Sequence, residues 1–247
     1  MIARNLRKIF SKFRHTPFHP QWNVFKNDHQ KHRIVRQWSR GKVLDIGCAD
    51  QTINSHIPQA SSYIGLDYYS TATEWYQTRP HVFGDAQKLP FASESMDSVL
   101  LLDVLEHLPS PGDCLAEIVR VLKPAGILIL QVPCLYPIHD APLDFHRWTK
   151  YGLRQAVSQY GLEIVSENYS GSPLETGGML LNIALCKHLL NWYRQKNPAL
   201  LLTPFIIATV VLVNILSWLL TIISPDDDMM PHGYCFILEK SVCDISS

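Results

Sequence analysis

A doubly wound α/β fold on a mostly parallel sheet is the architecture this sequence predicts, and three observations predict it. Short apolar runs recur at 43–47, 62–66, 81–83, 97–102 and 126–132, with single helical segments between them. Strands separated by one helix each build a parallel sheet with right-handed crossovers. The first run, Val43-Leu44-Asp45-Ile46-Gly47-Cys48, stops at a glycine beside an acid, and Asp67 follows that glycine by 20 residues at the end of the second run. A glycine at the first strand-to-helix turn lets a ligand approach the backbone, and an acid at the next strand tip accepts from ribose hydroxyls. The layout is that of a nucleoside-cofactor site.

The remaining elements follow in order. Residues 2–14 set Ile2, Leu6, Ile9, Phe10 and Phe13 at helical spacing among five basic residues, which predicts a basic amphipathic helix suited to an anionic bilayer surface. A second helix is expected at about 24–39. Over 111–122, Cys114, Leu115, Ile118, Val119 and Leu122 share one helical face, and Lys123-Pro124-Ala125-Gly126 turns that helix into the next strand. A helix at about 150–160, capped by Thr149, precedes a strand at 161–169, and 234–240 reads as the last strand. Between those strands, 178–193 reads as one apolar helix, 194–198 as a turn, and 200–223 as 24 residues without a charge. Fully helical, that is about 36 Å, enough to span a bilayer. Because the chain must return to the same sheet, a hairpin dipping into one leaflet, or buried in a homodimer, fits better than a single crossing. The predicted organisation is a basic segment 1–40, an α/β domain over 41–177 and 232–247, and a hydrophobic helical hairpin at 178–231 inserted before the last strand.

Net charge is zero but unevenly spread. Residues 1–42 carry eleven Lys/Arg and one acid, a balance of +10; residues 43–247 carry eleven Lys/Arg and 21 acids, a balance of −10. A basic arm on an acidic body points to an anionic partner, membrane or nucleic acid. The six cysteines are scattered, none in a CxxC pair, and no Cys/His spacing matches a zinc site, so no metal is expected.

With these residues in place, the chain resembles the class I S-adenosylmethionine-dependent methyltransferases over about 40–170 plus the final strand. Val43 to Ala49 is similar to their first motif, Asp67 to their ribose-binding acid, and Gly84-Asp85-Ala86 with Leu89-Pro90-Phe91 to their adenine loop. Leu102 to Leu108 resembles the segment after their fourth strand, and Arg120 to Gly126 the turn into their fifth. The resemblance implies a Rossmann-like seven-stranded sheet of order 3-2-1-4-5-7-6 and S-adenosylmethionine as cofactor. It also implies contacts to the cofactor from Asp45 (methionine end), Gly47 and Cys48 (backbone), Asp67 (ribose), Asp85 and Ala86 (adenine) and Asp103. Two family glycines are replaced here by Ala49 and Gln51; the Gln51 side chain demands a backbone that avoids positive φ. No G-x-G-x-x-G follows the first strand, which argues against a dinucleotide.

Residues 133–149 hold Pro133, Pro137, His139, Asp140, Asp144, His146 and Arg147, and resemble the acceptor-covering stretch of a bacterial methyltransferase subgroup linked to surface polysaccharide or lipid-linked sugars. A hydroxyl acceptor needs a base. His139 is the candidate, with Asp140 orienting it and His107 as a rival; His146 and Arg147 are candidates for the acceptor. The expected function is methylation of a hydroxyl on a membrane-associated or lipid-linked sugar or other small acceptor. The protein is expected to be peripheral or monotopic at the cytoplasmic face of the cell membrane, with a possible homodimer through the hairpin and no nucleic acid. Alternatives are a non-catalytic scaffold, a quinone or lipid methyltransferase, and an RNA methyltransferase.

Overall fold

A computed structural model describes residues 12–225 and 227–242. The expected amphipathic helix over 2–14 lies almost wholly outside the described residues. The chain divides into two compact units. One contains Gln30–Cys134, Ile138–Asn168 and the chain from Gly233; the other contains the segment ending at His29, Leu135–Pro137 and Tyr169–His232.

The first unit is built on a seven-stranded sheet of order β3-β2-β1-β4-β5-β7-β6, as the family resemblance implies. Its strands are β1 (Lys42–Ile46), β2 (Ser62–Asp67), β3 (Val82–Phe83), β4 (Met96–Leu102), β5 (Leu122–Pro133), β6 (Leu162–Ser170) and β7 (Gly233–Lys240). Pairings β1–β2, β1–β4, β2–β3 and β4–β5 are parallel, while β7 runs antiparallel to β5. The central strands are almost continuously apolar because both sheet faces are covered. Val43, Leu44, Leu100, Leu101, Leu128, Ile129, Leu130, Phe236, Ile237 and Leu238 are fully buried. Helix α1 (Asp28–Trp38) turns Ile34 and Val35 inward, and α2 (Pro111–Val121) does the same with Cys114, Leu115, Ile118 and Val121. Helix α3 (Lys150–Ser158) starts where expected: the Thr149 hydroxyl accepts the Gly152 N–H at 3.1 Å. With β1 flanked by β2 on one side and β4 on the other, the sheet changes winding direction between β1 and β4. In open α/β sheets the crevice at the carboxyl ends of such strands receives the ligand.

The second unit is a helical hairpin with the chain that caps it. Helix α4 (Pro173–Gln195) begins earlier than the apolar pattern at 178 suggests, because Ser172 and Glu175 form a reciprocal capping box with Pro173 at the first helical position. It ends at left-handed Lys196; Asn197 and a 3₁₀ turn (Pro198–Leu202) lead into α5 (Thr203–Ile223). The helices approach closely at Gly178, where an added Cβ would meet Ser217 Oγ at 3.0 Å.

One side of α5 carries polar residues. Asn214 Oδ1 accepts from Asn182 Nδ2 at 2.9 Å, and its Nδ2 donates to the carbonyls of Pro17 and His19 at 2.8 and 2.9 Å. Asn23 donates to Ser217 Oγ at 2.9 Å. Asn23, Asn182 and Asn214 are buried, so each of these bonds offsets a desolvation cost of about 1–3 kcal/mol. Lys26 pairs with buried Glu175 and lies over the Trp22 and Trp218 rings. The other side is apolar and bare: Phe205, Leu212, Leu216, Leu219, Ile222 and Ile223 are exposed. Pro198–Ile223 is long and apolar enough, by length and composition, to cross a membrane.

Candidate active site

The first turn, 47–51, follows β1. Gly47 has φ +74°, and a Cβ there would meet Val104 Cγ2 at 2.4 Å, so glycine is required on both counts. The N–H groups of Gly47 and Cys48 both donate to the Leu66 carbonyl, at 2.8 and 3.1 Å. Ala49 and Gln51 are left-handed as well, at φ +47° and +58°. This corrects the expectation that Gln51 avoids positive φ: the turn keeps the conformation that glycines would adopt without strain. The cost is about 1–2 kcal/mol per residue. It is offset by bonds that fix the loop: Ala49 N–H to Asp67 Oδ2 at 2.8 Å, Thr78 Oγ1 to the Ala49 carbonyl at 2.7 Å, and Gln51 Nε2 to the Arg79 carbonyl at 3.0 Å.

Asp67, at the tip of β2, is therefore an organiser of this loop. Its Oδ2 takes the Ala49 N–H and its Oδ1 the Tyr68 N–H at 2.7 Å. Each oxygen keeps a second lone pair. Burial pushes its carboxyl above the usual range, against the pull of those two N–H donors. Asp45 is 2% exposed and accepts from Tyr63 Oη at 2.7 Å. Burial raises its pKa to about 7, while the Tyr63 bond opposes the rise. Cys48 is buried, and burial pushes its thiol up to about 12, which leaves it inert as a nucleophile.

Asp85 and Ala86 sit on the loop after β3. Asp85 Oδ1 accepts the Gln87 N–H at 2.8 Å, and Ala86 is buried. The loop is clamped from α2. Glu117 accepts the Leu89 N–H at 2.7 Å, and Arg120, paired with Glu117, donates to the carbonyls of Leu89 and Phe91 at 3.0 and 2.8 Å. That clamp escaped the sequence reading, in which Arg120 belonged only to a turn motif. Asp103, left-handed at φ +57° on the tip of β4, accepts from Gln131 Nε2 at 2.6 Å.

Beyond Asp103, a 3₁₀ turn (Leu105–His107) carries a second group of side chains. Glu106 is fully buried, and neither carboxylate oxygen has a hydrogen-bond partner. Its Oε1 lies 3.8 Å from His107 Nε2 and 3.9 Å from His139 Nε2, and the two imidazoles meet edge to face at 4.9 Å. Burial, reinforced by the nearby Asp103 charge, raises the Glu106 pKa to about 9. His107 Nδ1 is 2.5 Å from the Leu143 carbonyl. The carboxylate beside His139 is Asp144, not Asp140 as expected from the sequence. Asp144 Oδ2 accepts the His139 N–H at 2.8 Å and lies 3.3 Å from its Nδ1. Asp140 contributes its backbone, its carbonyl accepting the Leu143 N–H at 3.2 Å. Arg147 pairs with both Asp144 oxygens, at 2.6 and 2.7 Å, and its hydrogen bonds hold that carboxyl well below the usual range. The N–H of His146 bonds to the Glu106 carbonyl at 3.2 Å, and its Nε2 is buried without a hydrogen bond. Glu106 is the residue the sequence reading passed over. Its signal was an acid inside an apolar turn, next to a histidine.

A sheet of this order, with acids at the tips of β1, β2 and β4, defines a Rossmann-like class I methyltransferase fold. Residues 44–130 match the family model described as "Methyltransferase domain". The match and the methyltransferase relatives imply S-adenosylmethionine as the cofactor. It is 35% identical over 97 residues to phthiotriol/phenolphthiotriol dimycocerosates methyltransferase 1 of Mycobacterium ulcerans, covering 36% of each chain. It is 28% identical over 155 residues to sterol 24-C-methyltransferase of Kluyveromyces lactis, covering 51% of this chain and 41% of that one. The chain thus spans less than half the length of these curated relatives. Among solved structures, an S-adenosylmethionine-dependent methyltransferase from Methanosarcina mazei superposes with a TM-score of 0.51 at 14% identity. The match covers 85% of this chain and 97% of the other, a likeness of fold.

Proposed function

We propose that this protein methylates a hydroxyl on a membrane-associated acceptor, a lipid-linked sugar or related lipid, working at the cytoplasmic face of a membrane. The observation that carries the reading is that a methyltransferase domain shares its chain with a hairpin whose second helix exposes large apolar side chains. Monomeric soluble proteins seldom leave such a face uncovered. The lipid-directed names of two relatives support the acceptor class.

The residues present suit the cofactor. Asp67 has a spare lone pair on each oxygen for the ribose hydroxyls, and Asp85 keeps acceptor capacity for the adenine amine. Asp45, once ionised, attracts the cationic methionine end. Gly47 keeps the turn clear of Val104. Left-handed Ala49 and Gln51 keep the turn in the shape glycines would give it, which supports cofactor binding over a non-catalytic reading. Bound S-adenosylmethionine supplies an electrophilic methyl group. On the acceptor side, His139 takes the hydroxyl proton, with Asp144 and Arg147 fixing its ring.

Liposome flotation with cofactor-derived methyl label tests this reading. Wild-type protein should float with anionic vesicles and label the organic-soluble fraction of a membrane extract. The triple variant Leu212→Glu, Leu216→Glu, Leu219→Glu should stay in the dense fraction with its circular dichroism melt unchanged. Flotation by the triple variant would transfer the anchoring role away from the hairpin, and label found only in RNA would refute the acceptor class.

A further inference from the structure

Three donor atoms, one each from Glu106, His107 and His139, lie within 4.8 Å of one another. A cluster of this kind is common without a ligand, but two further observations set this one apart. Glu106 is fully buried, and both its oxygens lack any hydrogen bond. A buried carboxyl with no partner costs about 1–3 kcal/mol or more and calls for an explanation. In addition, the far ring nitrogens are engaged: His107 Nδ1 by the Leu143 carbonyl, and His139 Nδ1 by the Asp144 carboxylate at 3.3 Å and Arg147 Nη2 at 3.2 Å. An acceptor at Nδ1 holds the proton there and turns the Nε2 lone pair toward whatever lies in front. That is the outer-shell arrangement typical of metal-ligating histidines. Here both Nε2 atoms face the same Glu106 oxygen, at 3.8 and 3.9 Å.

We propose that Glu106, His107 and His139 bind one divalent transition-metal ion of the zinc class. Two imidazoles favour such an ion over magnesium or calcium, which prefer all-oxygen sites. Ligand distances of about 2.0–2.2 Å need only a small inward movement of each side chain. Three protein ligands leave a coordination position open. The Asp144–Arg147 pair steadies His139, since Arg147 holds both oxygens of the carboxylate beside its ring. Arg147 Nη2 also lies 3.2 Å from His139 Nδ1, so a competing tautomer places the proton on Nε2, pointing at Glu106. That tautomer takes no ion. His107 and His139 are 32 residues apart, too far for any local sequence spacing to announce the site. Binding of the ion is independent of the proposed methyl transfer. Only its use rests on that reading: the open position would take the acceptor oxygen, and His139 would then serve as a ligand and not as the base.

Chelator-washed full-length protein in detergent, titrated with zinc chloride in a calorimeter without any acceptor, tests the site. One equivalent per chain at micromolar affinity or tighter is expected, and cobalt(II) should give a visible absorption band at the same stoichiometry. Glu106→Gln should weaken zinc binding at least about 100-fold and Asp144→Asn about 10-fold. Circular dichroism establishes that each variant is folded; should Glu106→Gln not fold, His107→Gln takes its place. Folded wild type without zinc binding overturns the site. So does unchanged binding in Glu106→Gln, which would assign the ion to other histidines such as the stacked His32–His56 pair. S-adenosylhomocysteine binding, measured on the same samples, should persist in Glu106→Gln. Its absence in wild type would strike the proposed function and leave the zinc result standing.

Discussion

The two acid-bearing turns at the carboxyl edge of the sheet treat their carboxylates in opposite ways. At the tips of β1 and β2, Asp45 and Asp67 are buried, yet each accepts hydrogen bonds, from Tyr63 and from the Ala49 and Tyr68 amides. In the turn after β4, Glu106 is equally buried and accepts none. The first arrangement is a finished scaffold: the acids hold the loop in the shape a nucleoside needs, with lone pairs to spare. The second is unfinished by the protein's own atoms. A buried polar group left unsatisfied persists when a ligand completes it or when function outweighs its cost.

The contrast can be broken by removing one acid from each side. Asp67→Ala should do most damage, because it takes away both the ribose contact and the tie that holds left-handed Ala49. S-adenosylhomocysteine affinity should fall by about 1–3 kcal/mol, near 10- to 100-fold, with a lower melting temperature besides. Unchanged affinity by calorimetry would place the ribose elsewhere. Glu106→Gln should act in the opposite direction on stability. At pH 8 burial keeps Glu106 protonated in the folded protein while the unfolded chain ionises it, a cost the amide does not carry, so the metal-free variant should melt at or above the wild type, by about 1–3 kcal/mol or more. A clear loss of stability would mean that Glu106 is bonded after all, and the contrast would collapse.

A third test is a pH dependence at Asp45. Its folded-state pKa of about 7 lies above the usual 3.8, so the folded protein holds this proton more tightly than the unfolded chain does. The associated stability is present in full below pH 4 and is lost as pH rises toward 7, a change of a few kcal/mol at most. Asp45→Asn carries no such proton. Between pH 4 and 7 its melting temperature should gain on that of the wild type, and then run parallel above pH 7. Parallel curves throughout would mean that Asp45 is already ionised in the folded protein.

Much of the sheet was legible because its strands are buried on both faces. Runs such as Val99-Leu100-Leu101 and Ile127 to Leu130 have no other use in a chain of this length. The acids at strand tips were legible because a nucleoside site fixes both their type and their position. What could not be read depends on contacts far apart in sequence. Gln51 tolerates a left-handed backbone because Arg79 and Thr78 brace the loop, and nothing near Gln51 announces them. Asp144 displaces Asp140 as the partner of His139 because the chain turns back between 140 and 144, a matter of loop geometry and not of residue type. The hairpin's apolar pattern was plain, but its start at Pro173 was set by the Ser172–Glu175 box and not by hydrophobicity.

The polar knot in the hairpin unit has a consequence for how the chain is made. Asn23 emerges from the ribosome 191 residues before Asn214. At about 5–20 residues per second, the segment around it waits roughly 10–40 s for its partners, while the whole parallel part of the sheet is synthesised in between. The last strand, β7, also lies beyond α5. Both units are therefore completed only once residues 214–240 have been made, so a ribosome stalled before residue 214 would carry a chain in which neither unit is closed.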